Sequence, residues 1–93
     1  MREREIERKL MDVVKAKGGI CWKFVSPGTT GVPDRIILMP NGRIAFVELK
    51  APGKEMRPLQ VHRKRQLEAL GFRVYCIDRK EQIAEVLHEI QST

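Results

Sequence analysis

Asp34, Glu48 and Lys50 are the residues of this sequence whose types and spacing are best suited to chemistry. They flank the short stretch Pro40-Asn41-Gly42, which separates two runs rich in apolar and β-branched residues and so predicts a β-hairpin. Two carboxylates held close together repel unless a cation lies between them, and oxygen ligands favour Mg²⁺ or Mn²⁺ over zinc. A lysine beside such a cation can position a water or offset charge developing on a phosphate.

The length of the turn decides whether the two acids meet. A two-residue loop would put Asp34 opposite Leu49 and turn Glu48 to the other face of the hairpin. A three-residue loop pairs Met39 with Arg43. Asp34 then lies opposite Glu48, with roughly 5 Å between their Cβ atoms, and the lysine two residues later shares that face. Proline at the first turn position and glycine at the third suit the three-residue loop, so we predict that register.

A glutamate and a lysine two residues apart are common at strand ends, where both are usually ordinary surface charges. An aspartate, a hairpin and then Glu48-Leu49-Lys50 closing an apolar strand form a much more specific combination. Pro33-Asp34 with this second motif resembles the PD-(D/E)XK nuclease signature. The longer strings GVPDR (31–35) and VELK (47–50), with a later Gln60, resemble the virus-type replication-repair nuclease (VRR-NUC) family, especially its small stand-alone phage and bacterial members.

The resemblance covers nearly the whole chain and implies a single VRR-NUC nuclease domain over residues 1–93 that hydrolyses phosphodiester bonds in structured DNA. It implies that Asp34, Glu48 and the backbone carbonyl of Leu49 bind Mg²⁺ or Mn²⁺. Lys50 and Gln60 are expected to act on the attacking water. The family's fold often brings a glutamate of the first helix to the metal. We expect that residue to be Glu7, with Glu3, one turn earlier, as the alternative.

The pattern of apolar residues agrees with the fold that this resemblance implies. Spacings typical of helices and alternations typical of strands predict the order αβββαβα. The predicted elements are a helix over 3–17, strands over 20–25, 34–39 and 43–50, a helix over 58–70, a strand over 72–77 and a closing helix from 78. This order predicts an α/β fold with a mixed central sheet flanked by helices, the PD-(D/E)XK (restriction-endonuclease-like) fold.

Composition is consistent with a small cytoplasmic domain that binds a polyanion. The chain has 93 residues, 42% of them hydrophobic, and a net charge of +6, which attracts nucleic acid. It shows no signal-peptide or membrane-span pattern, so we expect no membrane partner and a cytoplasmic location, with a phage or bacterial origin. Cys21 and Cys76 lie in apolar runs and are expected to be reduced core residues. Trp22 is expected in the core rather than on a base-stacking surface.

DNA contacts are expected from the loop before the hairpin and from the basic residues around the second helix. The loop at 26–31 is either a phosphate-binding loop or a plain connector. On the helix, His62 is expected to make a surface or phosphate contact. The residues expected to bind DNA are Ser26, Arg35, Lys54, Arg57, Arg63 and Lys64.

One short domain supplies one active site, whereas symmetric cleavage of two strands needs two. We therefore expect a homodimer that resolves four-way (Holliday) junctions, a property that the small stand-alone family members also imply. A nuclease for flaps or nicked repair intermediates is the first alternative. A non-catalytic basic DNA-binding module and a subunit of a larger phage machine are the others.

Overall fold

Residues 1–92 are described by the computed structural model, and their helices and strands surround a four-stranded sheet. The elements are α1 (Glu3–Ala16), β1 (Ile20–Lys23), β2 (Arg35–Met39), β3 (Arg43–Leu49), α2 (Pro58–Ala69), β4 (Arg73–Ile77) and α3 (Gln82–Gln91). The prediction of an α/β fold with a mixed sheet flanked by helices is therefore confirmed. None of these helices is long and apolar enough to span a bilayer.

The sheet has the spatial order β1-β2-β3-β4. The first two pairings are antiparallel, and β4 joins β3 in parallel. A parallel neighbour requires a crossover connection, and α2 supplies it between β3 and β4. The mixed character of the sheet therefore follows from a hairpin-connected half and one βαβ unit.

The β2–β3 hairpin adopts the three-residue register. Met39 pairs with Arg43 and Arg35 with Val47, so the predicted loop length is confirmed. Residues 40–42 form a single 3₁₀ turn in which Asn41 and Gly42 have φ values of 69° and 72°. Asparagine and glycine tolerate this left-handed region better than other residues do, which is why this turn sequence sets the register.

One face of the sheet carries the hydrophobic core. Helix α1 contributes a stripe at i, i+4 and i+8, Ile6, Leu10 and Val14, each fully buried. Helix α3 packs beside it on β3 and β4. The sheet contributes the alternate residues Ile37, Met39, Ala45, Val47, Leu49 and Ile77.

The opposite face is covered incompletely. Helix α2 packs chiefly on β4, and none of its residues is buried. Trp22 projects from β1 to this side and is 58% exposed. The expectation that Trp22 lies in the core is therefore wrong: its alternating position turns it away from α1, onto a part of the sheet that α2 does not reach.

Gly19, between α1 and β1, provides a stability test of this packing. A Cβ atom there would collide with the Met39 sulfur and lie 2.8 Å from the Leu38 carbonyl oxygen. We expect Gly19→Ala to cost about 1–3 kcal/mol of unfolding free energy, measured by urea denaturation. Gly28→Ala is the matched control, because nothing lies within 4 Å of its Cβ position. Equal stability of the two variants would show that the α1–β1 junction is looser than described.

Candidate active site

Asp34 and Glu48 face each other across the base of the β2–β3 hairpin. Asp34 immediately precedes the Arg35–Val47 pair, so the register places it opposite Glu48. Its Oδ2 accepts a hydrogen bond of 2.9 Å from the Leu49 backbone N–H. Side chains alternate along the strands, so both acids project to the face that α2 borders, opposite the main core.

Glu48 is a buried carboxylate that lacks full compensation. It is 1% exposed, and within residues 1–92 its Oε1 has no hydrogen-bond partner. Burial raises its pKa to about 7, with repulsion from the Asp34 charge as the next cause; Lys50 acts in the opposite direction. A buried acid with an unpartnered oxygen beside a second acid is a site that a cation would stabilise.

Lys50 is held in place from two directions. Its backbone N–H donates a 3.0 Å hydrogen bond to the Ile77 carbonyl on β4. Its Nζ lies 3.3 Å from Glu48 Oε2, and the side chain is only 12% exposed. The amine is therefore fixed beside the acids, and its position does not depend on a flexible surface side chain.

The two acids fit a hard divalent cation, because the Glu48 Oε1 atom is unpartnered and the nearby Asp34 carboxylate supplies further oxygens. Within residues 1–92 no group of three or more His, Cys, Asp or Glu side chains forms a metal site. Two side chains alone do not complete a coordination shell, so the remaining ligands would have to be backbone carbonyls, waters or substrate oxygens.

No protein-family model matches the sequence, but two comparisons find similar proteins. A protein named "Putative nuclease p44", from Acyrthosiphon pisum secondary endosymbiont phage 1, is 48% identical over 81 residues, which cover 87% of each chain. A solved structure described as a VRR_NUC domain superposes with a TM-score of 0.86. It is 24% identical, and the match covers 92% of this chain and 94% of the other.

The chain belongs to the family of this phage nuclease, and it has the fold of a VRR_NUC domain. Asp34, Glu48, Leu49 and Lys50 come together as predicted. Several residues predicted to join them lie elsewhere.

The predicted location of Glu7 is wrong. Its Oε2 accepts a 2.9 Å hydrogen bond from Arg35 Nε. Arg35 alternates with Asp34 along the strand and therefore projects to the α1 side of the sheet. Glu7 thus pairs with a cation on the face opposite the two acids. Glu3, the alternative, lies one turn earlier on the same helix and is exposed.

Arg35 also departs from its predicted role. It is 8% exposed, because it is buried between α1 and the sheet. Besides Glu7 it reaches the Cys21 carbonyl oxygen, at 3.5 Å. The VRR-NUC domain therefore uses this arginine internally, and the expectation that it contacts DNA is wrong.

Gln60 lies in the first turn of α2, as the sequence predicts, but its side chain has a local partner. Its Oε1 accepts a 2.9 Å hydrogen bond from the Arg57 backbone N–H, which caps the start of the helix. In this conformation Gln60 Oε1 is engaged in capping the N-terminus of helix α2.

The other residues predicted to contact DNA differ in exposure. Lys54 and Arg57 are exposed in and after the loop that follows β3. Lys64 Nζ lies 3.5 Å from Oε2 of Glu68, one turn along α2. His62 is exposed. Ser26 is half-buried, and its carbonyl oxygen accepts the Thr29 N–H. These positions are compatible with the predicted DNA contacts.

A pair of tethers between the loop at 26–31 and α2 was not anticipated. Arg63 Nε donates a 2.8 Å hydrogen bond to the Thr30 carbonyl. Gly31 has φ +88°, and a Cβ there would lie 2.8 Å from Leu59 Cγ. Gly31, three residues before Asp34, was the only local sign of this close approach in the sequence. Arg63 lies 33 residues from Thr30, so no local pattern indicated their hydrogen bond.

Glu48 gives the metal-free VRR-NUC domain a definite pH dependence. Its folded-state pKa of about 7 exceeds the unfolded value near 4.5. Between these values the folded chain keeps a proton that the unfolded chain has released, so stability falls as pH rises. Relative to Glu48→Gln, we expect wild type to lose up to about 3 kcal/mol between pH 5 and 8 in EDTA, measured by urea unfolding.

The exposed Glu85→Gln variant is the control for this measurement, and we expect it to follow the wild-type pH curve. A stability difference between wild type and Glu48→Gln that is the same at both pH values would contradict the assignment of this buried charge.

Proposed function

We propose that this nuclease is a divalent-metal-dependent, structure-specific DNA endonuclease that cuts four-way junctions as a homodimer. The observation that carries the metal dependence is the buried Glu48 carboxylate, with one unpartnered oxygen, beside Asp34. A protein that only binds DNA gains nothing by presenting two acids to phosphates. The acids therefore favour a hydrolytic centre over the non-catalytic binding module.

In this proposal Asp34, Glu48 and the Leu49 carbonyl hold Mg²⁺ or Mn²⁺. A cation bound there supplies a water of lowered pKa and polarises the phosphoryl oxygen. Lys50, fixed 3.3 Å from Glu48, offsets charge that develops on the phosphate and orients the water. Gln60 reaches the water only after it releases the Arg57 N–H.

The substrate assignment rests on charge and on stoichiometry. A net charge of +6 favours a polyanion, and Lys54, Arg57, Arg63, Lys64 and Ser26 are proposed to contact its backbone. One domain offers one hydrolytic centre, so paired cuts in opposite strands require two copies. Cleavage of flaps or nicked DNA is the alternative. The phage source of p44 supports a phage or bacterial origin and action in the bacterial cytoplasm.

The metal-site residues can be tested by substitution. We expect Asp34→Asn, Glu48→Gln and Lys50→Met each to lower cleavage about 100-fold or more, because each removes a charge at the proposed centre. DNA affinity should change little. The assay incubates labelled junction, flap and linear duplex with protein in Mg²⁺ or in EDTA. Glu85→Gln is the control, and wild-type activity in any of the three variants would defeat the assignment.

Glu7 provides a second, more discriminating test. Because it pairs with Arg35 on the other face, we propose that it positions β2 and does not bind metal. We expect Glu7→Gln, which still accepts the Arg35 hydrogen bond, to retain cleavage within about tenfold of wild type. Glu7→Ala should cost about 1–3 kcal/mol of stability. A loss of cleavage by Glu7→Gln as deep as that of Glu48→Gln would instead put Glu7 in the metal site.

A further inference from the structure

Cys76 places a thiol in the same row of paired residues as the two acids. In the parallel β3–β4 pairing it lies directly opposite Glu48, and the hairpin register places Glu48 opposite Asp34. Residues paired across neighbouring strands point to the same face of a sheet. Asp34, Glu48 and Cys76 therefore project side by side on the face that α2 borders, with about 4.8 Å between successive strands.

The Cys76 thiol is accessible and lies close to the unpartnered carboxylate oxygen. The side chain is half-buried, so an ion from solvent can reach it. Burial raises the pKa of the thiol, and the Glu48 charge is the next cause, so the two groups are within electrostatic reach. Within residues 1–92 Glu48 Oε1 has no hydrogen-bond partner, which means that the thiol does not donate to it. An almost fully buried, unpartnered oxygen and a thiol therefore lie on neighbouring strands with no bond between them.

The other cysteine of the chain has a different environment. Cys21 pairs with the core residue Ile37 and so projects to the α1 side of the sheet. Its backbone carbonyl oxygen lies 3.5 Å from the Arg35 guanidinium. The two thiols are thus on opposite faces, and of the two, Cys76 is the one beside the unpartnered Glu48 oxygen.

We propose that Glu48 and Cys76 form a second metal site, one that takes thiophilic divalent ions such as Zn²⁺ and Cd²⁺, and that an ion bound there inhibits cleavage. The proposal rests on the proposed function, because it concerns regulation of the same centre. Thiolate sulfur favours Zn²⁺, whereas Mg²⁺ takes oxygen ligands. As the metal–sulfur bond forms, the thiol proton passes to the solvent. Water completes the coordination of the ion.

Glu48 is common to both sites, and this makes their occupation competitive. Asp34 and Cys76 are separated by two strand spacings, roughly 10 Å, and within residues 1–92 no three side chains of these types form a metal cluster. A hard ion between Asp34 and Glu48 and a soft ion between Glu48 and Cys76 therefore need the same carboxylate. The soft ion deprives the hard ion of a ligand, and two cations this close also repel each other.

Cadmium absorption tests the site without a nuclease assay. A Cd²⁺–thiolate bond adds an ultraviolet charge-transfer band that Cd²⁺ bound only to oxygen lacks. Cd²⁺ is titrated into metal-free wild type, Cys76→Ser and Cys21→Ser, with a phosphine reductant to keep both thiols reduced. We expect wild type and Cys21→Ser to develop the same band and Cys76→Ser to lose it. Glu48→Gln should need at least about tenfold more Cd²⁺ for half-saturation, because it removes the second ligand.

Competition and inhibition are measured on the same proteins. Excess Mg²⁺ should raise the Cd²⁺ concentration that half-saturates wild type, and it should not do so in Asp34→Asn, which lacks the hard site. In the cleavage assay with Mg²⁺, Cys76→Ser should need at least about tenfold more Zn²⁺ for half-inhibition than wild type or Cys21→Ser. Each variant is compared with its own rate without Zn²⁺.

Circular dichroism checks that the variants fold. Cys76→Val takes the place of Cys76→Ser if the serine variant does not fold, since a β-branched residue suits a strand. A band that persists without Cys76, or that Cys21→Ser abolishes, would overturn the proposal. Equal inhibition by Zn²⁺ of wild type and Cys76→Ser would do so too. Cleavage with Mg²⁺ by a protein that shows no cadmium band refutes this site and leaves the nuclease standing. A Cys76-dependent band without cleavage under any condition refutes the nuclease and leaves the metal site.

Discussion

The burial of Glu48 beside Asp34 is the constraint on which the site depends. The chain accepts a carboxylate that is almost fully removed from water and raised in pKa. Lys50 offsets only part of that cost, since the other carboxylate oxygen has no partner. Such a group is costly to the metal-free fold. Its presence is explained if a cation, bound when the protein is active, stabilises this carboxylate.

The two faces of the sheet have different roles: one carries the hydrophobic core and the other carries the two acids. The α1 and α3 side supplies the core, and its part-buried charged pair, Arg35 with Glu7, is internally satisfied. The other side carries the two acids at the hairpin base and the exposed apolar residues Ile20, Trp22 and Ile44. Stability is therefore concentrated on one side of the sheet. The side that carries the two acids keeps some of its polar and apolar groups incompletely covered.

The sequence was informative where local chemistry decides structure. Pro40-Asn41-Gly42 specifies a three-residue turn, and the turn fixes which residues of the hairpin face each other, so the juxtaposition of Asp34 and Glu48 was predictable. The family motifs then indicated their use. Turn conformation and strand alternation are short-range properties, and they were sufficient for the centre of the site and for the α/β class of the fold.

The errors concern side chains whose partners are distant in sequence. Glu7 and Arg35 satisfy each other across 28 residues, and no local pattern announces that pair. Trp22 is a large apolar side chain of the kind usually found in a core. Whether it is buried depends on where helix α2 lies on the sheet. Gln60 occupies the predicted position, yet a backbone N–H within its own helix turn competes for its oxygen.

The double attachment of the loop at 26–31 to α2 has a mechanical consequence. Arg63 donates a hydrogen bond to the Thr30 carbonyl, and Gly31 packs against Leu59, so helix α2 holds the segment that leads into Asp34. A displacement of that helix would be transmitted through these two contacts to the backbone that leads into the aspartate. The position of helix α2 and the position of the Asp34 carboxylate are thereby mechanically coupled.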